Sequence, residues 1–336
     1  MNVALVKPDH LGDLVLSIPA IRHAQRHAER VTLFSHPATR ALATVLFPDI
    51  ETQTLLFPHL DKSGRTVELP LIPEGFDLYL SLRGDRQIES ILPTPYLSPD
   101  ATPDIASEIR GLHHETENQR SAVRVAFGNY SRGEYFFSLL PYPERDFPRL
   151  PKKIGLCISA GFATNAWPVG HWLRLQRLLS ARGCETVWIA GPQEHIELAW
   201  LQRASGCAMA VTGSGDFHEF WKAISTLDLV VATDSGSAHL CSLVAPVLSI
   251  FGPSPFRRYA PFGKQHRLLT LDLACSPCPQ FEQTALNFCV TRECLSAISA
   301  EIACEAVFLE HRGPRERRRL ARGVGCWDGL SCLPSF

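Results

Sequence analysis

The sequence lacks the features that define several large classes of protein. No uninterrupted apolar run approaches the roughly 18 residues that a membrane-spanning helix needs. Charge is almost balanced, since 33 lysines and arginines stand against 34 aspartates and glutamates, for a net charge of -1 at pH 7. Without a positive excess, the chain has no general electrostatic attraction to nucleic acid. We therefore expect no membrane-spanning segment and no nucleic-acid partner.

The amino terminus lacks the pattern of a secretion signal. Residues 1–9 have no basic lead, and Lys7 and Asp9 cut short the apolar run that such a signal requires. We therefore expect the protein to stay in the cytoplasm.

Two familiar nucleotide-binding motifs are missing as well. No G-x-G-x-x-G follows the first predicted strand, and the chain has no Walker A lysine motif. The sequence therefore supports neither NAD binding nor ATPase activity.

Cysteine is plentiful but does not indicate a disulfide framework. The 11 cysteines are an odd number, and several lie in apolar segments, as reduced buried thiols do. Four have the spacing C-x2-C-x10-C-x4-C, which could hold zinc through thiolates: Cys275, Cys278, Cys289 and Cys294. Because Pro277 and Pro279 lie among them and no histidine is near, a surface loop without metal is the competing interpretation.

Short apolar runs alternate with helical patterns along the chain. The predicted strands are 2–6, 31–34, 76–82, 153–158, 186–190, 227–232 and 247–251. The predicted helices are 13–27, 39–46, 171–182, 196–204 and 238–244. Strands that alternate with helices favour parallel β-α-β units, so we expect an α/β fold.

A proline-rich stretch separates two such patterns. Residues 141–151 contain four prolines and predict a stiff connector between two domains, 1–145 and 152–310. A chain of 336 residues is also long for one core. The tail, 311–336, is set apart because six arginines lie between His311 and Arg322. Such a run is typical of a solvated or disordered end, and contact with anionic lipid is the sharper alternative.

The segment after the predicted strand 227–232 has the features of a phosphate-binding turn. It enters a predicted helix, whose first N–H groups and dipole attract an anion. Small and hydroxylated side chains let a phosphate approach closely. An ordinary helix cap has the same composition. The residues concerned are Asp234, Ser235, Gly236, Ser237, Ala238 and His239.

Two further loops follow predicted strands. The loop 251–254 would lie beside the Asp234 segment at the carboxyl edge of the sheet, where α/β proteins bind ligands. Glu194 also follows a strand, and a carboxylate there either accepts hydrogen bonds from ribose or caps a helix.

Asp9 and Asp13 flank Gly12 in the loop after the first predicted strand. At the start of a helix, Asp13 is a capping residue by default, because the dipole favours a carboxylate there. The same position would let it accept a proton from an incoming hydroxyl.

Together these segments resemble glycosyltransferase family 9, the ADP-heptose:lipopolysaccharide heptosyltransferases. The matching segments are 9–20, 114–118, 167–168, 191–194, 234–254 and 275–298. The resemblance implies a GT-B architecture: two Rossmann-like domains with parallel sheets facing a central cleft. The first domain would bind the acceptor and the second the nucleotide sugar.

The resemblance also implies an inverting, metal-independent transfer of a sugar, heptose from ADP-heptose, to a lipopolysaccharide core or a related glycan. Asp13 matches the family's catalytic base. The donor would be bound by Ser235, Gly236 and His239 at the diphosphate and by Glu194 at the nucleoside, with Asp234, Ser237 and Asn165 beside them. We expect no cofactor apart from this donor substrate.

The partners implied are the nucleotide-sugar donor and a lipid-linked glycan acceptor at the cytoplasmic face of the membrane. The protein would work there as a peripheral monomer. The acceptor itself has no distinctive motif. Arg83, Arg86 and Arg110 could bind its phosphates, although ordinary surface charges are the simpler interpretation.

One position departs from the family pattern. Asn165 stands where the family commonly has a donor-contacting lysine, and an asparagine brings no charge. Arg174, Arg257 or Arg258 could supply a substitute cation. The alternative hypothesis is a nucleotide-sugar-binding GT-B protein that has lost turnover.

Overall fold

In the computed structural model, the described residues are 1–57, 70–84, 86–99, 114–128, 145–213, 215–263, 265–278, 289, 291–309, 318–319 and 324–328. The chain divides into two compact units, Met1–Pro141 and Tyr142–Phe336. Each unit is built on its own sheet. Within the described residues, no helix combines the length and the apolar character needed to cross a membrane.

The first unit contains a parallel five-stranded sheet in the order β3-β2-β1-β4-β5. Its strands are β1 (Asn2–Lys7), β2 (Arg30–Ser35), β3 (Glu51–Thr54), β4 (Leu78–Ser81) and β5 (Tyr96–Leu97). Its helices are α1 (Leu11–Leu16), α2 (Ile18–His27), α3 (Arg40–Leu46), α4 (Arg86–Glu89) and α5 (Glu115–Phe127). The central strand β1 is buried from Val3 to Lys7, as expected for a parallel strand covered on both faces.

The predicted helix 13–27 is two helices in the structure. Ser17 ends α1 and precedes α2, and its hydroxyl donates to the carbonyl of Asp13 at 2.7 Å. Pro19 has no N–H and its ring clashes with the preceding turn, so it disfavours one continuous helix through this position. Proline is tolerated in the first turn of a helix, which is where α2 places it.

The helix α5 has no counterpart among the helices predicted from apolar periodicity. Its first turn is polar yet buried, so it shows no apolar stripe. His114 caps it, and the hydroxyl of Thr116 donates to the carbonyl of Leu16 at 3.1 Å. These contacts attach the start of α5 to the end of α1.

The second unit contains an eight-stranded sheet in the order β12-β13-β11-β10-β9-β6-β7-β8. The strands are β6 (Lys153–Cys157), β7 (Glu185–Ala190), β8 (Ala210–Thr212), β9 (Leu229–Thr233), β10 (Val247–Phe251), β11 (Arg267–Leu271), β12 (Arg318–Arg319) and β13 (Val324–Asp328). The helices are α6 (Val169–Ala181), α7 (His195–Ser205), α8 (Phe217–Ser225), α9 (Gly236–Ser242), α10 (Phe256–Tyr259), α11 (Glu293–Ser296) and α12 (Ala300–Phe308).

Two strands of this sheet come from the arginine-rich tail and depart from the expected parallel arrangement. β13 pairs antiparallel with β11, and β12 pairs antiparallel with β13. Part of the tail therefore continues the sheet, which the prediction of a disordered end did not anticipate. Residues 310–317, 320–323 and 329–336 lie outside the described residues.

The order of the strands reverses at β6. The chain continues from β6 to β7 and β8 on one side and then crosses to β9, β10 and β11 on the other. Beside such a reversal, the loops at the carboxyl ends of neighbouring strands diverge and leave a crevice for a ligand. The loops after β6 and β9 lie at this point.

The loop after β10 is packed closely by α11. A Cβ added at Gly252 would lie 2.4 Å from Cγ of Leu295, a contact that requires the helix or the loop to shift. Leu295 is itself buried, so its side chain has little room to turn away. Only glycine therefore fits this approach.

We expect Gly252→Ala to lower the free energy of unfolding by about 1–3 kcal/mol, as overpacking in a core does. Urea denaturation measures the change. Gly161→Ala is the matched control, because a Cβ there meets no atom within 4 Å. An unfolding midpoint for Gly252→Ala equal to that of Gly161→Ala would contradict this account of the packing.

Candidate active site

A buried ion pair ends the central strand of the first unit. Lys7 is 2% exposed, and its Nζ lies 2.9 Å from Oδ2 of Asp9 and 3.4 Å from the carbonyl of Leu82. Asp9 is also buried and accepts a hydrogen bond from the guanidinium of Arg83, which follows β4. Arg83 is therefore part of this cluster and not a solitary surface charge.

Asp13 lies in the first turn of α1, next to that cluster. Its side chain is 29% exposed, and His10 Nδ1 lies 3.9 Å from its Oδ2. Burial raises the pKa of Asp13, the charge of Lys7 lowers it, and the carboxylates of Asp9 and Glu115 raise it again, to about 6. A carboxyl group that reaches solvent with this pKa can exchange a proton near neutral pH.

Neighbouring carboxylates also raise the pKa of Lys7. Burial alone lowers the pKa of Lys7, but the charges of Asp9, Asp13 and Glu115 outweigh it and the pKa is raised. Lys7 is therefore a permanent buried cation, and it limits how far the pKa of Asp13 rises.

Glu115 was not singled out from the sequence. It is buried at the start of α5 and accepts a hydrogen bond from Nδ2 of Asn118 at 3.2 Å. The only sequence signal for it is the family match at 114–118. It contributes to the site through its charge on Asp13 and Lys7.

In the second unit, Asn165 joins two of the predicted loops. It is 3% exposed and ends a single helical turn, Ala163–Asn165, after β6. Its Nδ2 lies 3.2 Å from Oδ2 of Asp234, 3.4 Å from the carbonyl of Asp234 and 3.0 Å from Oγ of Ser254. The loops after β6, β9 and β10 thus meet at one side chain.

Glu194 is held at the same edge of the sheet by Ser159, which was not predicted as a site residue. The hydroxyl of Ser159, which lies just after β6, is 3.1 Å from Oε2 of Glu194 and accepts from the N–H of Gly191 at 2.8 Å. The carbonyl of Ser159 accepts from the hydroxyl of Thr233 at 3.1 Å. A polar residue directly after a predicted central strand was the available signal.

The Asp234 segment forms a capped helix start. The hydroxyl of Ser235 accepts from the N–H of Ala238 at 3.2 Å and lies 3.3 Å from the carbonyl of Thr233. This hydroxyl is therefore already hydrogen-bonded within the turn. Gly236 and Ser237 are partly exposed in the first turn of α9, where backbone N–H groups have no partner within the helix.

His239 is buried in the middle of α9 and lies within electrostatic reach of His266. Burial, and secondarily the charge of His239, lowers the pKa of His266 to about 3. Nδ1 of His266 accepts from the N–H of Val247 at the start of β10. The side chain of His239 is therefore close to the buried His266 as well as to the Asp234 segment that precedes it.

The proposed substitute cations have other contacts. Arg174 pairs with Glu301 at 2.9 Å, and both side chains are more than half exposed. Arg257 and Arg258 lie over the rings of Phe256 and Tyr259, at 5.8 and 4.8 Å. The side chain of Arg86 and all of Arg110 lie outside the described residues.

The four cysteines proposed as zinc ligands are near one another. Burial, and then the thiols of Cys289, Cys275 and Cys278, raise the pKa of Cys294 to about 11. Across the described residues, no group of three or more His, Cys, Asp or Glu side chains has the geometry of a metal site. Zinc binding here stays a prediction.

The comparisons with known proteins agree on one family. The model of glycosyltransferase family 9 (heptosyltransferase) matches residues 114–288, just over half of the chain. Lipopolysaccharide heptosyltransferase 1 of Pseudomonas aeruginosa is 24% identical in an alignment of 334 residues, gaps included, that covers 83% of this chain and 86% of that protein.

Two solved structures share the fold. E. coli heptosyltransferase WaaC with ADP-2-deoxy-2-fluoro heptose gives a TM-score of 0.62 at 15% identity and covers 90% of this chain and 98% of its own. The glycosyl transferase family 9 structure from Veillonella parvula gives 0.63 at 16% identity, with 92% and 98% covered. They confirm the predicted GT-B class of two parallel-sheet α/β domains.

The raised pKa of Asp13 predicts a pH-dependent stability. The folded chain binds this proton more tightly than the unfolded chain, so ionisation costs stability as the pH rises from the ordinary value of 3.8 to about 6. Near pH 4, we expect Asp13→Asn and the native protein to have the same melting temperature. Above the folded pKa of about 6, Asp13→Asn should have a higher melting temperature than the native protein, because it has no carboxylate to ionise.

Melting curves across this pH range, with Asp49→Asn as an exposed control, measure the difference. A difference between Asp13→Asn and the native protein that does not change with pH would contradict the raised pKa.

Proposed function

This chain belongs to glycosyltransferase family 9, and from that membership we propose that it transfers heptose from ADP-heptose to a lipopolysaccharide-core acceptor with inversion. The observation that carries the proposal is the meeting of three loops at Asn165, beside the switch point of the second sheet. Its relatives support the sugar and the acceptor: one is a lipopolysaccharide heptosyltransferase, and a structure of another contains an ADP-heptose analogue.

The donor would be held through its diphosphate at the start of α9. The backbone N–H groups of Gly236 and Ser237 and the hydroxyl of Ser237 are the donors there, and the helix dipole favours the anion. Ser235 shapes the turn, because its own hydroxyl caps the helix. His239 would add a donor from within the same helix.

The nucleoside would lie beside Glu194. The hydroxyl of Ser159 contacts one carboxylate oxygen of Glu194 and so orients the group. A carboxylate in this position accepts hydrogen bonds from ribose hydroxyls. Asn165 and Asp234 complete the donor site by keeping the turn after β6 against the loop after β9.

Asp13 would act as the general base. Its carboxylate takes the proton of the acceptor hydroxyl while the hydroxyl oxygen forms a bond to the anomeric carbon. The bond from that carbon to the diphosphate oxygen breaks, and ADP leaves with the electron pair. Attack on the face opposite the leaving group inverts the anomeric centre.

The electrostatics of the first unit suit this role. With a pKa of about 6, Asp13 is mostly ionised at neutral pH and still basic enough to accept a proton. On the leaving-group side, we propose that the amides and hydroxyls of the α9 turn, and not a metal ion, neutralise the developing diphosphate charge. Transfer should then persist in the presence of EDTA.

The competing hypothesis was a nucleotide-sugar-binding protein without turnover, raised by the neutral Asn165. Asp13 matches the family's base in the resemblance stated above, and the relative from Pseudomonas aeruginosa is a heptosyltransferase, so an enzyme is favoured. We further propose that it works as a monomer in the cytoplasm, peripherally bound at the inner face of the membrane that carries its lipid-linked acceptor.

A thermal-shift panel tests the donor. A ligand at 100 times its Kd stabilises the folded protein by about 2.7 kcal/mol, so the melting temperature reports affinity. We expect ADP and ADP-sugars to raise it more than UDP, GDP and their sugars do. A larger shift with UDP or GDP would remove the heptose assignment while leaving the family unchanged.

Replacement of the base tests the mechanism. We expect Asp13→Asn to lower the rate of sugar transfer about 10²- to 10⁴-fold, because it keeps the shape of the side chain but cannot accept the proton. The Kd for ADP should change little. In the native enzyme, kcat/KM should rise with pH and level off above the pKa of about 6. Native turnover by Asp13→Asn would exclude Asp13 as the base.

A further inference from the structure

Of the described residues placed in the proposed donor site, none is a lysine or an arginine. Asp234 and Glu194 are carboxylates at its edge, and the diphosphate of a nucleotide sugar adds more negative charge. A helix start offers only about half an elementary charge. Asn165, at the family's lysine position, is neutral and brings none.

The contacts of the Asn165 amide do not suit it to attract a diphosphate in place of the lysine. Its Nδ2 contacts Asp234 and Ser254. Its Oδ1, although buried, has no hydrogen-bond partner in the part of the chain that the structure describes. This oxygen could accept a hydrogen bond from a ligand hydroxyl, but it repels phosphate oxygens.

An arginine from another part of the sequence approaches the same turn. Nη1 of Arg292 donates to the carbonyl of Ala163 at 2.7 Å, two residues before Asn165 in the single turn 163–165. The side chain is exposed, and this is the one hydrogen bond of its guanidinium recorded within the described ranges. A guanidinium has five N–H donors, so others can bind an anion, and paired donors suit phosphate oxygens.

The backbone holds Arg292 in an unusual conformation. With φ 43° and ψ 39°, it is the only non-glycine residue with positive φ among those the structure describes. Its carbonyl accepts from the N–H groups of Leu295 and Ser296, both at 2.9 Å. Such conformations persist only where the surroundings impose them, and they are frequent at ligand sites.

The helix that begins just after Arg292 packs against a loop of the proposed donor site. Leu295, three residues on, is packed against Gly252 in the loop after β10. The root of the Arg292 side chain is therefore positioned relative to the loop 251–254, and its tip is positioned by the turn 163–165.

We propose that Arg292 is a donor-binding residue that supplies to the diphosphate the positive charge that the family's lysine supplies elsewhere. The inference rests on the proposed function, because it assumes a nucleoside diphosphate at the start of α9. Arg174 is less suited, since it is paired with Glu301. Arg257 follows the loop 251–254 closely in the sequence and is the alternative source of positive charge, so the experiment includes a variant of it.

The test is the affinity for ADP and AMP, measured by calorimetry on the full-length protein. We expect Arg292→Gln to raise the Kd for ADP about 10-fold or more, as loss of a charge-assisted hydrogen bond does, and the Kd for AMP less. Arg292→Gly is the second variant. Glycine adopts positive φ without strain, so this variant removes the guanidinium while keeping the backbone.

The matched control is Arg177→Gln. Arg177 is also exposed and its guanidinium also donates to a backbone carbonyl, that of Ala204 at 3.3 Å, at the far end of α7. Its loss should leave the Kd for ADP unchanged.

Equal ADP affinity for the native protein and both Arg292 variants would overturn this inference and leave the proposed function standing. So would a loss of affinity in Arg257→Gln but not in Arg292→Gln. If the native protein binds neither ADP, UDP nor GDP, the proposed function and this inference fail together.

Discussion

The hydrogen bonds of Asn165 connect the parts of the donor site. One amide nitrogen lies within reach of Asp234 and Ser254, so the turn after β6 is attached to the loops after β9 and β10. Because the group is buried, loss of these bonds would leave polar atoms without partners, at a cost of about 1–3 kcal/mol each. The asparagine at the family's lysine position therefore connects these loops.

The first unit depends on a comparable buried constraint. Lys7 and Asp9 form an ion pair at the end of β1, and Arg83 adds a second cation to Asp9. Removal of one partner from such a pair leaves a buried charge uncompensated and typically costs about 3–5 kcal/mol. Asp13 is next to this cluster but still reaches solvent, so burial and the charges of the cluster together set its pKa while its carboxylate stays accessible.

The seven predicted strands correspond to β1, β2, β4, β6, β7, β9 and β10, and they were recognisable because parallel strands covered on both faces are nearly continuous apolar runs. The other strands that the structure describes, β3, β5, β8, β11, β12 and β13, were not predicted. The break at Ser17 was not recognised, although Pro19 marks it, because apolar periodicity continues through both α1 and α2. The helix α5 was missed for the opposite reason, since its buried first turn is polar. The pairing of β13 with β11 depends on residues more than 50 positions apart, which a local pattern cannot reveal.

The sequence by itself determined the α/β class, the loops that follow the central strands, and the identity of Asp13 and the Asp234 segment as candidates. It could do so because these features depend on the order of residues along a short stretch. Only the tertiary structure decided that Asn165 bonds to Asp234, that Ser159 orients Glu194, that Glu115 acts on Asp13, and that Arg292 approaches the turn 163–165. Each of these pairs lies at least 35 positions apart in the sequence, and only the packing of loops and helices around a sheet brings such residues together.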